Sequence, residues 1–414
     1  MALHYDFPRI LNIDDVLPFI DDDCFKVKVA DCGHTYINYV KMGPDTFPTF
    51  NTPADRSEVD AWNHRAAVRR ECRGIAFDTR TGLLCSRPFH KFFNVGENKD
   101  MDIENLNFGD EHWVCDKVDG SMLRPIWTKD GLRWGTKMGL TDTAAGAEKW
   151  LADHPYYAEM ATHYFVRGYT PIFEFVSAGN RVVVDYGDTD MILLAIRENV
   201  TGGYLIPDAV ENAAERYGIP SARLYDPVEG DAANYIEGVK KSDDLDEGIV
   251  IQWWNGHRAK CKTDTYSALH RVKESARTER TLVTAILEEE VDDLLPLLPV
   301  EDRDRITKYI DRFWHRCGIL EDDFAALYAD VRENWETKKD FAISTFTKDL
   351  TQIEKSTMFA MWDGKRADAR EAAMHIVTQG LTSETKWAEM KQNIAMSGNL
   401  NNFDTGWKEQ EDLE

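Results

Sequence analysis

The hydrophobic period of this 414-residue chain changes near residue 270, so one polypeptide has to build two kinds of structure. Upstream, short β-prone runs alternate with loops at 25–29, 36–40, 74–77, 113–115, 172–176, 181–184, 191–196 and 249–253. Helical stretches fall between them. One covers 143–164, one starts at Pro207 and stops near Gly218, and one covers 231–241. Downstream, Ile306, Tyr309, Ile310, Phe313 and Trp314 recur at i, i+3, i+4, i+7 and i+8, and Phe324, Leu327, Tyr328, Val331 and Trp335 repeat that helical geometry. Gly318 separates the two sets, as a glycine closing a helix would. Helices continue to about 395, with Gly364, Gly380 and Gly398 as breaks. The expectation is an α+β domain over 1–268, an all-α domain over 269–399 and a flexible acidic tail over 400–414. The stretch from Gly43 to Trp62, rich in Pro, Asp and Thr, reads as a surface loop without an assigned function.

Charge limits the partners. With 73 acidic and 49 basic side chains the net charge is −24. That argues against a protein that coats nucleic acid, because phosphate binding draws on Lys and Arg. An enzyme acting on nucleic acid needs only a local basic cleft. The segment 271–414 has 20 basic and 30 acidic residues, which confines any RNA contact there to a patch. No apolar run approaches the ~20 residues of a membrane helix, and the first ten residues form no basic, apolar leader, so neither a membrane partner nor export is expected. Cys24, Cys32, Cys72, Cys85, Cys115, Cys261 and Cys317 form no Cys-x-x-Cys pair, and the eleven histidines show no zinc-type spacing with them. This set suits a reducing cytoplasm.

Chemistry concentrates in WVCDKVDGSMLR at 113–124. A β run delivers Lys117, followed by Val118, Asp119 and Gly120. A lysine attacks as a nucleophile only after losing its proton, which burial or neighbouring cations promote. Gly120 lets a nucleotide approach the backbone closely. Asp119 shares a side with Lys117 if the segment is extended. By itself Lys-x-Asp-Gly arises by chance in roughly one chain in ten of this length, and a surface turn explains it as well. The order of the downstream residues shifts the balance. Glu174 lies on a β run in Phe173-Glu174-Phe175, Asp246-Glu247-Gly248 leads into the run at 249, and Lys260 and Lys262 share one face of an extended segment. Two lysines can neutralise an α-phosphate, and two carboxylates can hold a ribose hydroxyl and a divalent metal. Trp253-Trp254 could stack bases. The plainer reading makes one of them core and the other partly exposed.

That ordered set resembles the covalent nucleotidyltransferases, the superfamily of DNA ligases, RNA ligases and mRNA capping enzymes. Its flanks resemble the phage-type RNA ligase 1 family more closely: Glu71-Cys72-Arg73-Gly74-Ile75-Ala76-Phe77, Lys91-Phe92-Phe93-Asn94, Thr136-Lys137 with Gly139, FEFVSAGNR at 173–181, LLAIRENVTG at 193–202 and KTDTYSAL at 262–269. The resemblance covers roughly 70–270. It implies an α+β adenylyltransferase domain with antiparallel sheets, followed by an all-α C-terminal domain that engages RNA or tRNA. It implies that Lys117 attacks the α-phosphate of ATP to form a lysyl-adenylate, with Gly120 beside the nucleotide. Arg73 and Lys91 would contact phosphates, and Lys137 the nucleotide or RNA phosphate. Glu174 would read the ribose. Glu247 would support Mg²⁺, with Mn²⁺ as an alternative, and Lys260 and Lys262 would contact the α-phosphate. AMP would pass to an RNA 5′-phosphate, and a 3′-hydroxyl would displace it, with Asp119 supporting that last step. The expected partner is RNA with 5′-phosphate and 3′-hydroxyl ends, nicked tRNA among the candidates. The expected enzyme is a monomer in the cytoplasm, the host's if a phage encodes it. Two rival readings remain. DNA ligases and capping enzymes follow Lys-x-Lys with a β-barrel, whereas this chain turns helical. A non-catalytic RNA-end-binding protein would have no use for a nucleophilic lysine.

Overall fold

The computed structural model describes residues 6–50, 58–177, 184, 186–275, 279–288, 291, 295, 300–333, 336–347, 350, 352–365, 368–383 and 385–387. Among them the strands are β1 (Phe25–Val29), β2 (His34–Tyr39), β3 (Arg73–Asp78), β4 (Leu84–Ser86), β5 (His112–Asp116), β6 (Ser121–Thr128), β7 (Gly131–Gly135), β8 (Tyr169–Val176), β9 (Asp190–Glu198), β10 (Leu224–Tyr225), β11 (Gly248–Trp253) and β12 (Arg258–Lys262). They form three antiparallel sheets, ordered β1-β2-β3-β4, β10-β5-β11-β12 and β7-β6-β8-β9. The α-helices are α1 (Val59–Glu71), α2 (Asp142–Leu151), α3 (Pro155–Phe165), α4 (Pro207–Tyr217), α5 (Ala232–Lys240), α6 (Asp264–Ser275), α7 (Glu279–Leu287), α8 (Val300–Glu333), α9 (Lys338–Thr347), α10 (Gln352–Trp362) and α11 (Ala369–Gly380). The chain divides after Ser267 into two compact units, and all three sheets belong to the first. Among the described residues no helix is long and apolar enough to cross a membrane.

Each sheet buries one side chain set against helices. Leu123, Phe173, Phe175 and Leu193 from β6, β8 and β9 pack on Ala144, Tyr157, Met160, Val210 and Ala214 from α2, α3 and α4. β11 is buried at every position, which its apolar run Ile249-Val250-Ile251 allows. α5 opens on Asp231, whose carboxylate accepts from the amides of Ala233 and Asn234. α4 closes on Gly218 at φ 66°, a left-handed cap that glycine adopts without strain. The second unit is helical around Val283, Ile306, Phe324, Val331, Phe341 and Met358.

Several expectations change. The single helix over 143–164 is two, because Pro155 has no amide to continue α2 and instead starts α3. Gly318 does not end a helix. It lies inside the 34-residue α8, where a Cβ would meet open space. Ile306, Tyr309, Phe313, Cys317, Phe324 and Val331 stay in phase as one buried stripe, which outweighs the ~1 kcal/mol that a helical glycine costs. The loop expected up to Trp62 gives way to α1 at Val59. β6 and β7 were not expected as strands. Residues 181–183 of the run at 181–184, residues 178–181 of FEFVSAGNR, Trp335, the stretch 388–399 with Gly398, and the tail 400–414 lie outside the described residues.

Candidate active site

Lys117 continues the ladder that β5 makes with β11. Asp116 sits opposite Ile249, and the Lys117 amide donates to the Gly248 carbonyl at 3.0 Å. Its side chain is 20% exposed, and Nζ lies 2.5 Å from Oε1 of Glu247. Lys262 reaches the same oxygen at 3.4 Å. The geometry depends on Gly248, at φ 143°, where any Cβ would collide with the Cys261 carbonyl and stand 2.8 Å from the Lys262 Cα. Lys260 and Lys262 alternate on β12 and so share a face.

The remaining cations arrive from separate elements. Phe93 and Val95 bond Lys260 through the backbone, at 3.0 and 2.9 Å, and the Lys91 amide donates to the Arg70 carbonyl at 2.7 Å. Lys91 and Lys137 place their Nζ atoms 5.5 and 5.2 Å from the Tyr39 ring centroid. The backbone of Lys137 is pinned by Asn38, whose Nδ2 donates to its carbonyl at 3.1 Å, and by Gly74 at φ 88°, where a Cβ would stand 2.5 Å from that carbonyl. Arg73 directs Nη1 at the sulfur of Met122, 3.7 Å away. Its neighbour Glu71 points the other way, into a buried network where it accepts from Arg87 at 3.0 Å and Arg197 at 2.8 Å. The Glu-Cys-Arg-Gly element thus divides its charges between core and site.

Glu174 on β8 pairs across the sheet with Met122 on β6. Gly120 permits the approach of the two chains, since its Cβ would stand 2.5 Å from the Phe175 carbonyl. The close contact at Gly120 is therefore with β8. Asp119 is buried. Its Oδ1 accepts from the Tyr266 hydroxyl at 2.7 Å, its Oδ2 accepts from the Val184 amide at 2.8 Å, and its own amide donates to the Tyr186 hydroxyl at 2.9 Å. Tyr39, Tyr186 and Tyr266 are site residues that the sequence reading did not single out. Tyr266 sits inside KTDTYSAL, where a tyrosine after two lysines was the available signal.

The charge states reverse one expectation. Burial pulls the Lys117 pKa down, but Glu247, Glu174 and Asp119 more than compensate, and the net shift is upward. Lys117 is therefore held as an ammonium paired with Glu247, because the carboxylates outweigh the cations expected to neutralise it. The amine that does move down is Lys260, to about 7, through burial and then repulsion by Lys117, Lys91 and Lys262. Burial raises Glu174 to about 8; Lys117 opposes that shift, and Glu247 and Asp119 add to it. Burial also raises Tyr266, with the carboxylates of Glu247 and Asp119 adding to it.

Among the described residues no three His, Cys, Asp or Glu side chains are grouped to hold a metal by themselves. Glu247 nevertheless keeps Oε2 buried without a hydrogen-bond partner. One free carboxylate oxygen beside a cationic wall fits an ion such as Mg²⁺, which takes one or two protein carboxylates and completes its shell with substrate phosphates and water.

A strand-end lysine, a carboxylate paired to it and a cationic wall suit a site of the nucleotidyl-transfer class. Residues 71–267 match the family model described as RNA ligase. A protein of Thermovibrio ammonificans named as an RNA ligase is 29% identical over 306 residues, covering 70% of this chain and 76% of its own. RNA ligase 1 of bacteriophage TS2126 is 32% identical over 145 residues, covering 33% and 37%. Among solved structures, an archaeal ATP-dependent RNA ligase has a TM-score of 0.41 at 16% identity, with 70% of this chain and 71% of that one covered. Over residues 71–267, just under half of its length, the chain matches the RNA ligase family, and the relatives it resembles are named RNA ligases.

Proposed function

We propose that the protein seals RNA through an adenylate carried on Lys117. The Lys117 ammonium gives up its proton to solvent water, and the free amine attacks the α-phosphorus of ATP. The N–P bond forms, the bond to the bridging oxygen breaks, and pyrophosphate leaves. Lys260 and Lys262 neutralise charge building on the α-phosphate, and Lys91, Arg73 and Lys137 hold phosphates of ATP or RNA. Glu174 accepts from a ribose hydroxyl. Glu247 would hold Mg²⁺ or Mn²⁺, and a divalent ion there would supply charge stabilisation while competing for the carboxylate that raises the Lys117 pKa. A 5′-phosphate oxygen of RNA then attacks the adenylate phosphorus and frees the lysine. A 3′-hydroxyl oxygen attacks the 5′-phosphorus, releases AMP and leaves a phosphodiester, with Asp119 supporting this step.

The observation that carries the reading is the convergence of Lys117 and Lys262 on one oxygen of Glu247, with Lys260 alongside. The setting that fits is RNA repair by a monomer in the cytoplasm, with nicked tRNA as substrate and the helical unit as its specificity domain. A ligation panel with ATP and Mg²⁺ tests it, using nicked tRNA, linear single-stranded RNA and nicked DNA. ATP-dependent sealing of RNA is expected, most efficiently at the tRNA nick. Sealing of nicked DNA alone would overturn the substrate class.

A further inference from the structure

A cavity of about 350 Å³ opens in the first unit, lined by Pro44, Asp45, Pro48 and Trp62 from the described ends of a stretch left without a role. Its size falls within the roughly 300–1,000 Å³ of small-molecule sites. Asp23, Lys41, Asp45, Trp62 and Arg65 are among its lining residues. The walls are fixed in place. Arg69, fully buried, donates to the carbonyls of Phe19, Asp45 and Thr46 at 2.9, 2.8 and 2.8 Å and pairs with Asp21 at 2.9 Å, which ties the two sides together. The Trp62 indole donates from Nε1 to the Thr49 carbonyl at 2.8 Å, so its ring is oriented before a ligand arrives. In sequence Lys41 lies two residues beyond Tyr39, the ring that Lys91 and Lys137 both approach.

The lining combines a fixed indole, two cations and carboxylates, and this mixture suits neither a bare anion nor a metal ion. A nucleotide matches it part by part. The π-face of a base stacks on Trp62, ring and amino N–H groups donate to Asp23 and Asp45, and a phosphate lies between Lys41 and Arg65. Asp21 adds little repulsion because its charge is already paired with Arg69. We propose that this cavity seats one nucleotide of the single-stranded RNA being joined, an inference that rests on the RNA-ligase reading of the Lys117 site.

Binding of a dye-labelled, 5′-phosphorylated single-stranded RNA, read by fluorescence anisotropy, tests the proposal alongside ATP-dependent self-adenylation. Trp62→Ala should raise the RNA Kd about tenfold and Trp62→Phe much less, since stacking survives. Lys41→Glu should raise Kd and lower the salt dependence of binding by about one phosphate contact. All three should adenylate within about twofold of wild type, because none touches the nucleotide site. If Trp62→Ala also loses adenylation, the exposed Lys41→Glu variant decides. Wild-type RNA affinity in both Trp62→Ala and Lys41→Glu overturns the cavity. Absence of adenylation in the wild type would instead overturn the ligase reading, and weaker RNA binding by the variants would still support the cavity.

Discussion

Replacing Lys260 with methionine should stabilise the nucleotide-free protein near neutral pH while disabling it. Burial, followed by Lys117, Lys91 and Lys262, brings the Lys260 pKa from 10.5 to about 7. At ~1.4 kcal/mol per tenfold change in proton affinity, charging this amine in the folded state costs at most about 5 kcal/mol. Solvent reaching a partly exposed side chain and relaxation of the neighbouring lysines reduce that to about 2 kcal/mol. The sign comes from proton counting. Between about pH 7 and pH 10.5 the unfolded chain keeps the proton that the folded protein has released, so this group makes stability rise with pH. Methionine has similar length and no charge, and it removes both the cost and the slope. Urea unfolding of the two proteins at about pH 6.5, 8 and 9.5 reads the difference. The variant should be more stable by about 2 kcal/mol at the lowest pH, and the margin should shrink as pH rises. Self-adenylation should fall at least ~100-fold, as for loss of a phosphate-stabilising charge. A variant no more stable than wild type near pH 6.5, or a margin independent of pH, would refute the reasoning.

Three further outcomes rest on the same geometry. Glu174→Gln should remove a pH dependence of the opposite sign: with its carboxyl raised to about 8, Glu174 contributes stability at low pH that is lost as pH rises from about 4.5 through 8, so the variant should gain on wild type across that window in unfolding titrations. Tyr266→Phe withdraws the 2.7 Å hydrogen bond to the buried Asp119 carboxylate and should cost about 1–3 kcal/mol in urea unfolding. Gly74→Ala forces a Cβ toward the Lys137 carbonyl at a positive φ and should lower ATP affinity and cost about 2 kcal/mol or more of stability, read by nucleotide titration and unfolding.

Much of the first unit was legible because its strands are short apolar runs and its chemistry sits on their ends. Lys117, Glu247, Lys260 and Lys262 come together because β5, β11 and β12 are neighbours, and the spacing of two on β12 already put its lysines on one face. What escaped has identifiable physical causes. α1 buries a consecutive run from Ala66 to Glu71, with Arg69, Arg70 and Glu71 in it, and not an apolar stripe, so its period is invisible in hydrophobicity. Gly318 has the residue type of a helix end but not the position, since the buried stripe of α8 runs through it. The protonation states could not be read from the string. Lys117 was expected to be neutral among cations, yet its charge is set first by Glu247, which is distant in sequence, then by Glu174 and the nearby Asp119, and the neighbouring Lys260 takes the downward shift. Tyr266 is placed on Asp119 across 147 positions of sequence, a contact that no local pattern announces.

The central claim is that one amine carries the adenylate. Incubation with ATP and Mg²⁺, followed by proteolysis and peptide mass mapping, locates the adduct directly. A single AMP on the peptide containing Lys117, absent in Lys117→Ala, is the predicted result. An adduct on Lys260 or another lysine, or RNA sealing that proceeds without any lysyl adduct in Lys117→Ala, would contradict it.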